Sequence, residues 1–286
     1  MINFKSVVKK VEYADLHLHT NASDGDFAPG KLVKLCAKFN LKTIAITDHD
    51  TVAGVEEAKA AGEKYNVTII PGIELGTSQN EREIHILGFY LDVDNPTLIE
   101  YLAEINTKRL RRTELIVESL ARHGIEVNIN KIIDQAGDGT IGRPHIAKAM
   151  VEAGVVKSYQ AAFNQWIGDG APAYEKKSIQ RPEELIEIIH EAGGAAVLAH
   201  PGTAWSEFEV RQLKRSGLDG IEVIHPRHTK RTSANWQRIA FESGLLVTGG
   251  SDFHSEKRRV NPLGKYIIEQ KYVKQLDDYC RKKIDA

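Results

Sequence analysis

Short runs rich in Val, Ile and Leu recur along the chain, each followed by a polar or glycine turn and then a helix-like stretch. The runs at residues 11–16, 43–47, 67–71, 84–89, 195–199, 220–224, 245–248 and 265–268 predict β-strands. Their shortness and composition are those of strands covered on both faces. Helical patterns lie between them at 29–39, 52–65, 181–192, 206–216, 230–243 and 272–283. Pro182 just inside one helix start, and Gly193–Gly194 just past its end, are the expected punctuation. The alternation of strand and helix predicts an α/β fold with a mostly parallel sheet.

The alternation breaks between about residues 96 and 177, where helical patterns at 98–123, 131–136, 144–152 and 159–167 follow one another without a convincing strand. Pro96 and Pro172 stand near the edges of this stretch. The pattern predicts a helical insertion, a cap of residues 96–177, between two parts of a barrel at 1–95 and 178–286. A chain of 286 residues has material for one such barrel and its insertion.

Lys and Arg number 38 against 39 Asp and Glu, a formal net charge of −1. A chain this neutral has no global basic field, which argues against duplex DNA held by bulk electrostatics and leaves room for a small anion gripped by local cations. Two cysteines, Cys36 and Cys280, with no CxxC pattern indicate neither a thiolate zinc site nor a disulfide framework. The first eleven residues lack a signal-peptide apolar block, and no run approaches the roughly 18 apolar residues of a membrane helix. A soluble protein of the cytoplasm, with no membrane partner, is the expectation.

The chemistry lies where the apolar runs end. His17 and His19 follow the first, Asp48 and His49 the second and Glu74 the third; the fourth carries His85. Later runs lead to His200, to Glu222 and His225, and to Asp252 and His254. Barrels of this kind build their sites at the C-terminal ends of strands. His17 and His19 share a face if the strand continues through them, because side chains alternate. Taken singly, each has a plainer reading: Asp24 as a turn aspartate, Asp50 as a helix cap, His85 as a core histidine. Taken together, they read as a metal cluster. Gly249 and Gly250, before Asp252, would let the backbone approach a neighbour or ligand closely.

With these residues in place the sequence resembles the PHP (polymerase and histidinol phosphatase) metallohydrolase family. The resemblance is carried by Asp15–Leu16–His17–Leu18–His19–Thr20, Ser23–Asp24–Gly25, Thr47–Asp48–His49, Gly72–Ile73–Glu74, His200–Pro201 and Ser251–Asp252–Phe253–His254. It implies a distorted (β/α)7 barrel holding up to three divalent ions. His17, His19, Glu74 and Asp252 would surround one ion, and Glu74 would bridge to a second held by His85 and His200. Asp24, His49 and His254 would hold the third. Manganese is the first expectation, and iron or zinc also suits such ligands.

Within the insertion, Ile141–Gly142–Arg143–Pro144–His145–Ile146–Ala147 and Gly168–Asp169–Gly170–Ala171–Pro172–Ala173–Tyr174 are similar to the stand-alone bacterial branch of the family. That branch includes 3′,5′-nucleoside-bisphosphate phosphatases and 5′-to-3′ exoribonucleases acting on short RNA. Asp26 departs from the pattern, a neutral residue being expected there. The resemblance implies a metal-dependent phosphoesterase whose partner is a small phosphorylated nucleotide or a short RNA 5′ end. Histidinol phosphate, or metal binding without catalysis, is the alternative, and the oligomeric state stays open. Arg143 is the candidate for bidentate phosphate capture, with His145 beside it; the plainer reading is a helix-start ion pair. His225, Arg227 and His228 form a second cationic loop, in which either histidine could protonate the leaving oxygen or grip a phosphate. The run Lys108–Arg109–Leu110–Arg111–Arg112 reads as a solvated helix face, or else as a basic patch guiding an RNA 5′ end.

Overall fold

Strands that are apolar on both faces must be covered on both, and a sheet curled into a barrel does this with its own interior and an outer layer of helices. The computed structural model describes residues 12–79, 82–137, 139–176, 180–256 and 262–284. Its strands are β1 (Tyr13–Asp15), β2 (Leu41–Ile46), β3 (Thr68–Gln79), β4 (Arg82–Phe89), β5 (Ala195–Leu198), β6 (Gly220–Ile224), β7 (Leu246–Gly249) and β8 (Ile268–Glu269). They form one sheet in the order β7-β6-β5-β4-β3-β2-β1-β8. The sheet curls until β7 and the segment after it meet the extension of β1, where Leu16 N–H donates to Gly249 O (3.1 Å) and His19 N–H to Phe253 O (3.0 Å), which nearly closes a barrel. The helices α1 (Pro29–Lys38), α2 (Val55–Tyr65), α7 (Pro182–Glu191), α8 (Glu207–Arg215), α9 (Lys230–Ser243) and α10 (Gln270–Ile284) alternate with these strands. None of the helices among the described residues is long and apolar enough to cross a membrane.

Four of the seven neighbouring pairs are parallel, as the alternation predicted, but β8 runs against β1, and β4 against both β3 and β5. The run predicted at 67–71 continues to Gln79 and turns directly into β4, in register from Gly72↔Phe89 to Gln79↔Arg82. A link this short permits only antiparallel pairing, because a parallel crossover needs a dozen or more residues. The reversal has a consequence for chemistry. The early part of β4, not its end, lies at the rim where the parallel strands finish, and His85 is its fourth residue. The last predicted strand, 265–268, shrinks to Ile268–Glu269, and Val11 of the first lies outside the described residues.

Between β4 and β5 come α3 (Pro96–Arg122), α4 (Ile129–Ala136), α5 (Arg143–Glu152), α6 (Tyr159–Ala162) and a π-helical turn, Phe163–Ile167. Asn95 caps α3 by accepting from Leu98 N–H at 3.1 Å, and Pro96 occupies its first turn. Leu98, Tyr101 and Ile105 pack with the barrel's Leu185 and Ile189. Further along the helix, Ile116 and Leu120 join Ile132, Ile146, Met150 and Ile167 in a second core. One long helix thus belongs to both cores.

Asp219, buried before β6, ties three elements together. Its Oδ2 accepts from His190 Nε2 (2.8 Å) on α7 and Ala196 N–H (2.7 Å) on β5, while Tyr279 on α10 donates to Oδ1. Burial alone would raise its pKa, but the bonds from His190, Tyr279 and Ala196 outweigh it and hold the carboxyl below the usual range. Its stabilisation is therefore complete above its unfolded pKa of about 4 and is lost as pH falls through the depressed folded value. Asp219→Ala should cost about 2–4 kcal/mol in urea unfolding at pH 7, by stranding three donors. The deficit relative to wild type should narrow as pH drops below about 4, and a deficit independent of pH would contradict this account.

Candidate metal centre

The chain continues extended past β1, so His17 and His19, two residues apart, point into the rim together. His17 Nδ1 donates to Glu222 Oε1 at 2.9 Å, which turns Nε2 inward to 3.2 Å from Glu74 Oε2. His19 Nε2 lies 3.2 Å from both Glu74 Oε2 and Asp252 Oδ1. Glu74 is fixed by its own backbone, which accepts from Asp50 N–H (3.0 Å) and donates to Asp48 O (3.1 Å). Its other oxygen, Oε1, meets His85 Nδ1 at 2.7 Å and His200 Nε2 at 3.0 Å. Asp24 Oδ1 lies 3.1 Å from His254 Nε2 and 3.8 Å from His19 Nδ1, and His49 Nδ1 lies 3.1 Å from Glu74 Oε2. Asp48 serves the turn carrying Asp24 instead, accepting from Thr20 N–H and from the Thr20 and Ser23 hydroxyls.

Local backbone choices make this convergence possible. His200, Asp252 and Asp50 adopt φ of 28°, 51° and 50°, a left-handed region where non-glycine residues are held only by surrounding structure, typically at functional sites. Gly250 lies so close to β1 that an added Cβ would sit 2.4 Å from the His17 Cβ. Asp15 completes that seam, its carboxylate accepting from Ser251 N–H (2.9 Å) and the Ser251 hydroxyl (2.6 Å).

The ligand atoms are arranged for cations rather than for one another. His17 Nε2, both nitrogens of His19, Asp24 Oδ1, Glu74 Oε2 and His85 Nδ1 are buried without a hydrogen bond of acceptable angle. Glu74 Oε2 has three imidazole nitrogens within 3.2 Å and no hydrogen bond to any of them. Lone pairs aimed at shared space, each unsatisfied group costing about 1–3 kcal/mol, are what bound ions would relieve. Compact groups recur as His17/His19/Glu74/Asp252, His19/Asp24/His49/His254 and His49/Glu74/His85. The residues present fit divalent metal.

Electrostatics agrees. Burial would raise the Glu74 pKa, but His49, His85 and His17 hold it well below the carboxylate range. Burial opposes charge on His19 and His85, yet Asp252 and Glu74 push the first up to about 10, and Glu74 pushes the second up to about 9. Burial drives His49 down to about 3 and His200 down to about 4. Some imidazoles thus hold protons among the carboxylates where cations can stand.

All nine residues proposed as ligands from sequence (His17, His19, Asp24, His49, Glu74, His85, His200, Asp252 and His254) converge on this rim. His225 and His228, expected to serve the leaving group or grip a phosphate, take two different placements. His225 is sealed behind Asp252, its Nε2 3.4 Å from Oδ2, and groups with His17 and Glu222. His228 Nε2 accepts from Gly202 N–H at 2.9 Å, so Nδ1 carries the proton and donates to Val223 O at 2.9 Å. Both ring nitrogens are spent on backbone.

A cavity of about 760 Å³ opens over the rim, lined by Glu74, His85 and His200 and also by Arg143, His145 and Arg227. Arg143 makes the helix-start ion pair, Nη1 donating to Asp169 Oδ1 at 2.6 Å, and still faces the cavity. His145 Nδ1 accepts from Gly142 N–H at 3.2 Å.

Sequence reasoning undervalued three residues. Glu222 accepts from both His17 Nδ1 and His200 N–H (2.8 Å), orienting two candidate ligands. Arg109 and Arg112 belong to the run read as a solvated face, yet both line the cavity. Arg109 Nε donates to Asp50 Oδ2 at 2.8 Å and Nη1 to Ile141 O at 3.0 Å; Arg112 Nε donates to Glu175 O at 2.9 Å. Burial, with Arg143 nearby, lowers the Arg112 pKa to about 10. Lys108 and Arg111 do face solvent, paired with Glu104 and Glu114. The three-residue spacing of Arg109 and Arg112 was the available signal, since it puts them on one helix face.

A barrel that gathers histidines and carboxylates at one rim, beneath a cavity with arginines, defines a metal-dependent hydrolase of phosphate esters. The chain belongs to the PHP domain family, whose model matches residues 15–192. It is 34% identical over 249 residues to the 5′-3′ exoribonuclease Rnm of Escherichia coli, covering 84% of each chain. It is 30% identical to the 3′,5′-nucleoside bisphosphate phosphatase of Chromobacterium violaceum, covering 84% of this chain and 87% of that one. A crystal structure from Bifidobacterium adolescentis, described as a metal-dependent phosphoesterase, superposes with a TM-score of 0.86 at 33% identity, covering 92% of this chain and 94% of that one.

Two outcomes test the centre. His19 and His85 hold protons at pH 7 by the values above and must lose them to bind metal. Titration of the metal-free protein with Mn²⁺ in buffers of different ionisation enthalpy should show proton release. Affinity should rise about tenfold per pH unit for each proton displaced; affinity indifferent to pH would contradict the ligand assignment. Glu222→Gln can accept from only one of its two donors, and should weaken metal binding about 10–100-fold without unfolding the protein.

Proposed function

We propose that the protein is a cytoplasmic phosphoesterase that removes phosphate from 3′,5′-nucleoside bisphosphates and releases mononucleotides from the 5′ end of short RNA. Its cofactors are three divalent ions, manganese foremost. His17, His19, Glu74 and Asp252 hold one, Glu74, His85 and His200 the second, and Asp24, His49 and His254 the third. Residues 96–177 act as a cap over a barrel formed by 1–95 and 178–286.

Such ions, when bound, neutralise phosphoryl oxygens and make water easier to deprotonate. The chain's own residues fix the geometry: Glu222 holds the ring of His17, and the backbone partners of Glu74 keep its two oxygens directed to different imidazoles. Arg143 captures a phosphate. Its nearer carboxylate partner, the exposed Asp169 at 2.6 Å against Glu83 at 3.8 Å, carries one negative charge and yields to a phosphate dianion offering more charge and two acceptor oxygens. Arg227, on the opposite arm of the chain, extends from an exposed loop into the same cavity.

The observation that carries the substrate reading is the second set of cations. Arg112, Arg143 and Arg227 line the cavity together with Glu74, His85 and His200. One phosphate seated among the candidate ligands leaves those arginines unused, whereas a substrate with two phosphates, or a 5′ end followed by a phosphodiester, engages both sets. The relatives named above act on ester substrates of both forms, which supports the reading.

The test compares kcat/KM for adenosine 3′,5′-bisphosphate, adenosine monophosphates and histidinol phosphate with the manganese-loaded protein. The bisphosphate should be preferred, and a preference for histidinol phosphate would overturn the nucleotide reading while leaving the metal centre intact. Arg143→Ala should lower kcat/KM for the bisphosphate by roughly 2 kcal/mol, about thirtyfold, with metal content unchanged. Unaltered kinetics would shift phosphate capture to Arg227.

A further inference from the structure

Two aromatic rings line a cavity whose other walls are largely histidine, carboxylate and arginine. Tyr159, at the start of α6, and Phe163, one turn later, present rings with centroids 5.1 Å apart and planes inclined by 36°. Both rings are half-buried, packing against the helical core while also reaching the cavity. Phe163 opens the π-helical turn, closed by Gly168 N–H donating to Phe163 O at 2.9 Å. Single π-turns of this kind occur often at functional sites. Gly168 and then Asp169, a partner of Arg143, follow the turn, and the Arg143 guanidinium lies over the Phe163 ring at 5.7 Å from its centroid. The chain thus brings an apolar ring pair and a candidate phosphate-binding cation to one place.

We infer that Tyr159 and Phe163 form a stacking platform for the nucleobase of the substrate, adjoining the Arg143 phosphate site. The inference rests on the nucleotide reading above and adds a base subsite to it. Two apolar ring faces opening onto a polar cavity suit a ligand that is itself flat, apolar on its faces and joined to phosphate, which describes a nucleotide. Stacking on ring faces uses a feature every base possesses, so the subsite selects for the presence of a base with little regard to its identity. That property suits an enzyme that shortens RNA of any sequence.

The experiment compares adenosine 3′,5′-bisphosphate with the abasic analogue 1-deoxyribose 3,5-bisphosphate, which keeps the 2-hydroxyl. Wild type should favour the base-bearing substrate by about tenfold or more in kcat/KM, and should process the uridine, cytidine and guanosine bisphosphates within a few-fold of adenosine. Phe163→Leu keeps apolar bulk against the helical core and removes the ring. It should raise KM for the adenosine substrate about tenfold, with kcat, thermal unfolding and turnover of the abasic analogue little changed. Tyr159→Leu should act in the same direction, and Phe163→Tyr should behave as wild type. If both leucine variants treat the two substrates as wild type does, or slow both alike, the rings are packing groups and the inference fails. If bisphosphates are preferred over histidinol phosphate but wild type ignores the base, the platform fails while the two-phosphate reading stands. A preference for histidinol phosphate removes both.

Discussion

A single buried carboxylate organises this protein. Glu74 is 1% exposed, with Oε2 within 3.2 Å of His17, His19 and His49 and Oε1 within 3.0 Å of His85 and His200. A charge so deeply buried is tolerable only where opposite charge surrounds it, whether protons on imidazoles or bound cations. The five histidines arrive from four separate segments: the extension of β1, the loop after β2, β4 and the loop after β5. The barrel must close for them to meet, and the meeting ties closure to charge. The strained backbone at Asp50, His200 and Asp252 and the glycine at position 250 are costs of that convergence, offset by the packing and hydrogen bonding around them.

The helical segment between β4 and β5 is joined to this centre by more than chain continuity. Helix α3 shares the barrel core at its start and forms the second core further along. Where those halves meet, Arg109 reaches Asp50, whose carboxylate also accepts from Gly76 N–H at 3.1 Å and whose neighbours in sequence include His49. The same guanidinium holds Ile141 O, immediately before the turn leading to Arg143. A half-buried cation therefore links the loop after β2, the segment just before α5 and, through Asp50, the ligand-bearing strand β3. The rim and the helices above it are held as one body, which a cavity positioning a phosphate relative to several ligands requires.

The amino-acid sequence by itself determined the alternation of strand and helix, the helical break and the identity of the residues at the rim. It could do so because short apolar runs ending in His, Asp or Glu are costly unless those ends meet a shared partner. It could not determine strand direction. The predicted strand stopped at residue 71, and only pairing with β4 shows 72–79 as strand, with His85 brought to the rim by reversal rather than by position at a strand end. Nor could sequence assign work among identical residue types. His225 and His228 lie three apart in one loop, yet one is buried against Asp252 and the other bound to backbone at both nitrogens. Arg109 and Arg111 lie two apart on one helix, and one pairs with Asp50 while the other faces water. Glu222 orients His17 across 205 positions of chain. Such roles depend on which face of an element the packed core turns inward, and that is a property of contacts between distant segments, decided only when the barrel closes.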